Sequence, residues 1–77
     1  GRVLTPGQTG RDVEVLQRFL IQAAENVPEI PRIQPTGVYD APTEAAIRVV
    51  QTMEGLPQTG VTGALTWNAV VSLANDG

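Results

Sequence analysis

From Asp12 onward the apolar residues fall in steps of three and four: Val13, Leu16, Leu20, Ala23, Ala24 and Val27 draw one stripe along an α-helix, with Phe19 flanking it. This predicts a first helix from about Gly10 to Glu25. Thr9 stands as its N-cap, and Asp12, three residues on, can reach back in a variant of the capping box. Residues 1–8 read as a non-regular lead-in with Val3 and Leu4 packed down. Between Asn26 and Thr36 stand Pro28, Pro31 and Pro35, with Val27, Ile30 and Ile33 at every third place. Proline withholds a backbone donor and disfavours helix in the residue before it. The segment therefore reads as an extended, polyproline-like connection laid across the bundle by its aliphatic side. In the second helix Asp40 is the N-cap, Pro42 sits in the first turn, and Thr43 can bond back to the cap. Ala46, Ile47, Val50 and Met53 point inward. The helix ends at Glu54, where Gly55 suits the left-handed position, Leu56 the accompanying apolar contact, and Pro57 blocks continuation.

A third helix follows by repetition. Thr36-Gly37-Val38-Tyr39-Asp40-Ala41-Pro42-Thr43-Glu44-Ala45-Ala46-Ile47 returns 23 residues later as Thr59-Gly60-Val61-Thr62-Gly63-Ala64-Leu65-Thr66-Trp67-Asn68-Ala69-Val70, with six of twelve positions identical. This is one supersecondary unit used twice, a glycine turn feeding a helix start. In each copy the Val after the turn glycine dips into the core (Val38, with Tyr39 a further candidate, and Val61), and Gly63 takes the cap position of Asp40. Leu65, Ala69, Val70 and Leu73 are the expected inward face of the third helix, which frays near Asn75-Asp76-Gly77. The fold expected is all-α: a small three-helix bundle with two repeated turn-helix elements and a long proline-rich connection, forming a single domain over residues 1–77. Opening at Gly1-Arg2-Val3 without Met, the chain reads as a piece of a longer protein.

Composition narrows the chemistry. With 77 residues, no cysteine and only Phe19, Tyr39 and Trp67 aromatic, the core must be built from aliphatic residues and alanine. The net charge of −3, with five arginines and no lysine, argues against nucleic acid and anionic membrane as partners. No run approaches the ~20 apolar residues of a membrane span. Without His or Cys there is no Ser/His/Asp triad, no Cys/His dyad and no ordinary zinc site. Asp40 with Glu44, or Glu25 with Glu29, could be imagined as a glycosidase pair. Asp40 and Glu44 are better explained by the favourable field of a helix N-terminus. No catalytic residue, metal or cofactor is expected.

The ordered string Gly10-x-Asp12-Val13-x-x-Leu16-Gln17-x-x-Leu20, Gly37-x-Tyr39-x-x-x-Thr43-x-x-Ala46-Ile47-x-x-x-Gln51, Gly55-Leu56-x-x-x-Gly60-x-x-Gly63-x-x-Thr66-Trp67 resembles the small three-helix peptidoglycan-binding domain of bacterial cell-wall hydrolases. The resemblance covers roughly Thr5 to Leu73. The insert Val27-Pro28-Glu29-Ile30-Pro31 is similar to a subgroup common in spore-forming Gram-positive bacteria. This chain departs from the pattern at Thr36, where the family usually has Asp, at Val50, where it has Phe, and at Asp40, where Gly is frequent.

The resemblance implies a non-catalytic, monomeric module that holds an attached wall-active enzyme on peptidoglycan, through glycan or stem peptide, outside the cell or in its wall. Such a site needs a shallow groove with hydrogen-bonding side chains, one or two stacking aromatics and a local cation. Tyr39, Arg48, Arg32, Trp67 and Gln51 are the candidate ligand-binding residues. For each a structural role stands beside the binding one: Trp67 can close the core, Tyr39 can seek a partner for its hydroxyl, and Gln51, like Gln17, can hold loop backbone. Arg48 and Arg32 can be solvated surface. The alternative class is a protein-interaction or scaffold domain packing on a neighbouring catalytic domain. The same architecture serves in propeptides of certain extracellular metalloproteases, whose inhibitory cysteine is lacking here.

Overall fold

The computed structural model describes residues 3–76. Three helices, α1 (Arg11–Asn26), α2 (Ala41–Met53) and α3 (Ala64–Asn75), form an all-α bundle in which α3 packs against α1 and, less extensively, α2. Among the described residues only two isolated bridges, Leu4 with Thr62 and Thr9 with Val38, interrupt the irregular backbone between helices. They belong to a strap, residues 4–10, that runs across both turns. Leu4 and Thr62 exchange backbone bonds of 3.0 and 2.9 Å, Tyr39 N–H donates to Gln8 O at 2.8 Å, and Gly7 and Gly10 N–H donate to Tyr39 O and Gly37 O, each at 2.9 Å.

The stripe of α1 is buried as expected at Val13, Leu16, Leu20, Ala23 and Ala24, and Ile30 and Ile33 of the proline connection join the core. Several expectations need correction. Thr9 does not cap α1. The N-cap is Gly10, whose φ of 132° is available to glycine, and no side chain bonds there. Thr9 is one residue too early and is held in the bridge to Val38. The connection is not polyproline-like throughout, since Ile30 N–H closes a turn onto Val27 O at 3.1 Å. Val3 and Val38 are exposed because extended backbone alternates its side chains, and their neighbours Leu4 and Tyr39 take the inward positions. Likewise Thr62 is fully buried, leaving Val61 intermediate. Met53 and Leu65 are also exposed, since Gln51 and Thr66 beside them occupy the inward directions of α2 and α3. The fraying expected at Asn75–Gly77 is not seen at Asn75, which is still helical; Gly77 lies outside the described residues.

Two buried glutamines organise the repeat. In α1, Gln17 Nε2 donates to Val38 O at 2.8 Å, Thr43 Oγ1 at 2.9 Å and Thr36 Oγ1 at 3.2 Å, while its Oε1 accepts Gly37 N–H at 2.8 Å. In α2, Gln51 Nε2 donates to Val61 O at 2.9 Å and to Thr59 and Thr66 Oγ1, both at 3.2 Å, and its Oε1 accepts Gly60 N–H at 3.0 Å. Every partner in the first set matches one in the second under the 23-residue repeat. The structural unit is therefore helix, glutamine and turn together. From glutamine to turn threonine the separation is 19 residues in the first unit and 8 in the second, the excess being the rest of α1 and the proline connection.

Helix ends follow local chemistry. Asp40 Oδ1 accepts Thr43 N–H at 3.1 Å and its hydroxyl at 2.6 Å. These bonds from Thr43, the side-chain one foremost, hold the Asp40 carboxyl below its ordinary value near 3.8, against a smaller opposing effect of burial. At the other end of α2, Leu56 N–H reaches Gln51 O at 2.8 Å and Gly55 N–H reaches Thr52 O at 3.3 Å, the paired bonds of a Schellman motif with Gly55 at φ 70°. Asn26 Nδ2 closes the far end of α3 by donating to Leu73 O at 2.9 Å and Ala74 O at 3.0 Å.

Replacing Gln51 by Leu strands the Gly60 N–H and leaves the Val61 carbonyl only a 3.5 Å contact with Thr59 Oγ1. Gln17→Leu strands the Gly37 N–H, while the Val38 carbonyl keeps the Asp40 N–H. Each substitution is expected to cost at least about 2 kcal/mol in urea unfolding, a large part of the stability of so small a domain. Asp40→Ala is expected to cost about 1 kcal/mol at neutral pH, whereas Asp40→Asn, an equally good cap, costs little. Because the folded pKa is depressed, the stabilisation from Asp40 is present above about pH 4 and is lost as pH falls through the folded value. Acid titration of thermal stability should therefore show a loss in wild type that is smaller in Asp40→Asn.

Candidate functional site

Three of the five candidate residues, Tyr39, Gln51 and Arg48, converge on the second turn. Gly60 is its centre: N–H bound by Gln51 Oε1 at 3.0 Å and carbonyl bound by the Tyr39 hydroxyl at 2.6 Å. Its φ of 77° favours glycine, and an added Cβ would lie 2.9 Å from Glu44 Oε2 and 3.1 Å from Arg48 Nε. The Arg48 guanidinium lies over the turn, donating from Nη1 to Gln58 O at 2.7 Å and from Nη2 to Thr59 O at 3.3 Å and Glu44 Oε2 at 3.0 Å. Gln58 in turn donates to Thr52, itself bonded to Arg48 O at 2.9 Å. Trp67 lies at the start of α3, where its backbone N–H makes the first helical bond to Gly63 O at 2.9 Å, and its side chain is partly buried against the core.

The geometry divides these residues by role. Tyr39 is only 2% exposed and Gln51 likewise 2%, so both lie beneath the surface and shape the turn from within. The Tyr39 hydroxyl donates to Gly60 O and so accepts from Thr62 Oγ1 at 2.9 Å. Burial raises its pKa above 10, the Thr62 bond opposes that shift, and the charges of Glu44 and Arg48 act in opposite directions. The phenol stays protonated, hence a donor, across physiological pH. Arg48 retains 41% of its side-chain surface, but its charge is offset by Glu44. Arg32 stands apart in the proline connection, exposed and paired with Glu25 of α1.

Beside the turn lies an open, largely apolar depression of about 320 Å³ that includes Leu56, Pro57, Val61 and Leu65, with Thr59 and Thr66 at its edges. Sequence reasoning overlooked it because Leu65 reads as a core residue at helical spacing; in the structure it is 68% exposed. A second groove, formed by Val15, Arg18, Phe19, Gln22, Ala74 and Asn75, opens between α1 and the end of α3. Among the described residues no group of three His, Cys, Asp or Glu side chains is placed to hold a metal ion, and no helix is long and apolar enough to cross a membrane. The second turn thus offers rigid backbone, a small apolar surface and one half-exposed guanidinium. That set suits non-covalent recognition of a polar polymer.

Comparison with known proteins identifies the family. The sequence model of the family described as "Putative peptidoglycan binding domain" matches residues 9–70. The crystal structure of the SleB N-terminal domain superposes with a TM-score of 0.78 at 30% sequence identity, over 96% of this chain and 94% of that one. No curated protein matches the chain. The matched span runs from the strap through both glutamine-bound turns to the buried face of α3, and the chain belongs to the peptidoglycan-binding domain family.

Proposed function

We propose that this domain is a non-catalytic module that anchors an attached wall-active enzyme to peptidoglycan, with the second turn as its contact surface. The observation that carries the reading is the convergence of Tyr39, Gln51 and Arg48 on one short turn. A turn fixed from below loses little conformational freedom when a ligand settles on it, and preorganisation of this kind favours binding. Affinity for a single short segment of polymer is expected to be weak; tethering to an enzyme raises the local concentration of the enzyme at the wall. A net charge of −3 gives no general attraction to an acidic polymer, so contacts are local. Arg48 holds the turn and offers its exposed face to a ligand carbonyl or carboxylate, and Trp67 supplies the neighbouring aromatic edge. Arg32 is a separate, peripheral contact. The domain acts as a monomer at the cell wall.

The alternative is a scaffold domain whose groove at Val15, Phe19 and Ala74 packs on a neighbouring domain. Sedimentation with purified insoluble peptidoglycan separates the two readings. The isolated domain is expected in the pellet; retention in the supernatant favours the scaffold. Arg48→Gln should weaken sedimentation about five- to tenfold, the loss of roughly one to 1.4 kcal/mol of turn-holding bonds. Arg32→Ala should change it by no more than about twofold.

A further inference from the structure

The two copies of the repeat share their glutamine clamp but differ where the helix begins. In the first, Asp40 caps α2 through Thr43. In the second, Gly63 has φ −90° and ψ −172°, a conformation open to any residue, and a Cβ there would meet nothing within 4 Å. Neither backbone nor packing calls for glycine at this position, and a serine or aspartate would stabilise the helix. Gly63 instead leaves bare backbone at the margin of the depression beside the turn. Leu56, Pro57, Val61, Ala64 and Leu65 supply the apolar part of that depression, and none of the residues that line it is charged. Leu65, at 68% exposure, is the most exposed large apolar side chain among the described residues, and it stands where the first copy has Pro42.

We propose that this neutral depression seats the acetamido group of an N-acetylated amino sugar, so that the domain reads the glycan rather than the peptide portion of the wall. The assignment rests on the wall-binding reading above and names the chemistry of the same surface. Charge decides between the portions. The depression itself offers no cation to a carboxylate, Arg48 lying outside it over the turn, whereas the acetamido group is neutral and carries a methyl. The methyl lies against Leu65 and Val61. The amide carbonyl accepts from the first backbone N–H groups of α3, which no side chain caps. Thr59 Oγ1 and the Thr66 hydroxyl are engaged by Gln51, so they frame the seat without competing for its occupant.

The test is a titration of the isotopically labelled domain, followed by amide chemical shifts, with three probes at millimolar concentration: an N-acetylglucosamine tetramer, a glucose tetramer of the same linkage, and a short peptide ending in two alanines. Wild-type sedimentation with insoluble peptidoglycan is measured alongside. The expected result is shifts centred on Gly63–Thr66 with the N-acetylated tetramer and none there with the other two. Gly63→Ser should raise the melting temperature yet weaken the tetramer about tenfold, a combination that a purely structural glycine would not produce. Leu65→Ser, at an exposed site, should weaken it similarly with little change in melting. If the domain sediments but these amides answer only to the peptide, or equally to both sugars, the acetamido assignment is wrong and wall binding stands. Unchanged tetramer binding in both variants overturns it as well. If the wild type fails to sediment, wall binding and the seat fall together.

Discussion

A primary amide buried in a small bundle must find partners for two N–H bonds and a carbonyl, or it costs more than the fold can spare. Gln17 and Gln51 meet that constraint by bonding to turns far along the chain, and the architecture follows from how they do so. Each glutamine accepts the N–H of a turn glycine and donates to the carbonyl one residue on, fixing the peptide units of the turn between them. Each also bonds the threonine in the first turn of the next helix, which sets that helix relative to the one carrying the glutamine. In a core of aliphatic side chains, where packing alone tolerates sliding, these directional bonds specify one arrangement. No buried side-chain nitrogen or oxygen among the described residues lacks a partner.

The candidate site is a by-product of the same solution. A turn held from beneath by Gln51 and Tyr39, and from the side by Arg48, has little freedom to adjust, so whatever meets its outer surface meets a fixed shape. The duplication separates roles: the first turn is bonded to the strap at Gly7, Gln8 and Gly10, whereas among the described residues the backbone bonds of the second turn to the strap are those between Leu4 and Thr62. One copy is thus committed to holding the domain together, and the other keeps an open flank.

Much of the fold was legible in the sequence because helix periodicity, proline, glycine and capping residues act locally. The stripe of α1, the Asp40 cap, the Gly55 terminus and the threonine–glycine turns are all encoded within a few residues. The errors arose where alternation along short extended segments competed with apolar character. Val3, Val38 and Val61 look like core residues, yet their neighbours Leu4, Tyr39 and Thr62 hold the inward positions, Thr62 because the buried phenol needs a partner. Leu65 and Met53 failed for a related reason, polar Thr66 and Gln51 having taken the inward direction. The site was half legible. Glutamine and tyrosine announced themselves as unusual residues beside apolar stripes, but their convergence on Gly60 joins residues 9 and 21 apart and no local pattern encodes it. Nor could the depression at Leu65 be read from residue spacing.

Tyr39 and Thr62 occupy the same place in the two copies of the repeat, and they bond to each other. Repeat proteins that grow into arrays keep such places equivalent, so that each unit presents to the next the face it received from the last. Here the equivalence is used up: the phenol of one unit ends on the hydroxyl of the other, and the strap lies across both turns. The assembly closes at two. Duplication of this unit by further copying would add a turn with no phenol to receive and no strap to cover it, so the length of such a domain can vary in its proline connection but not in its number of turns.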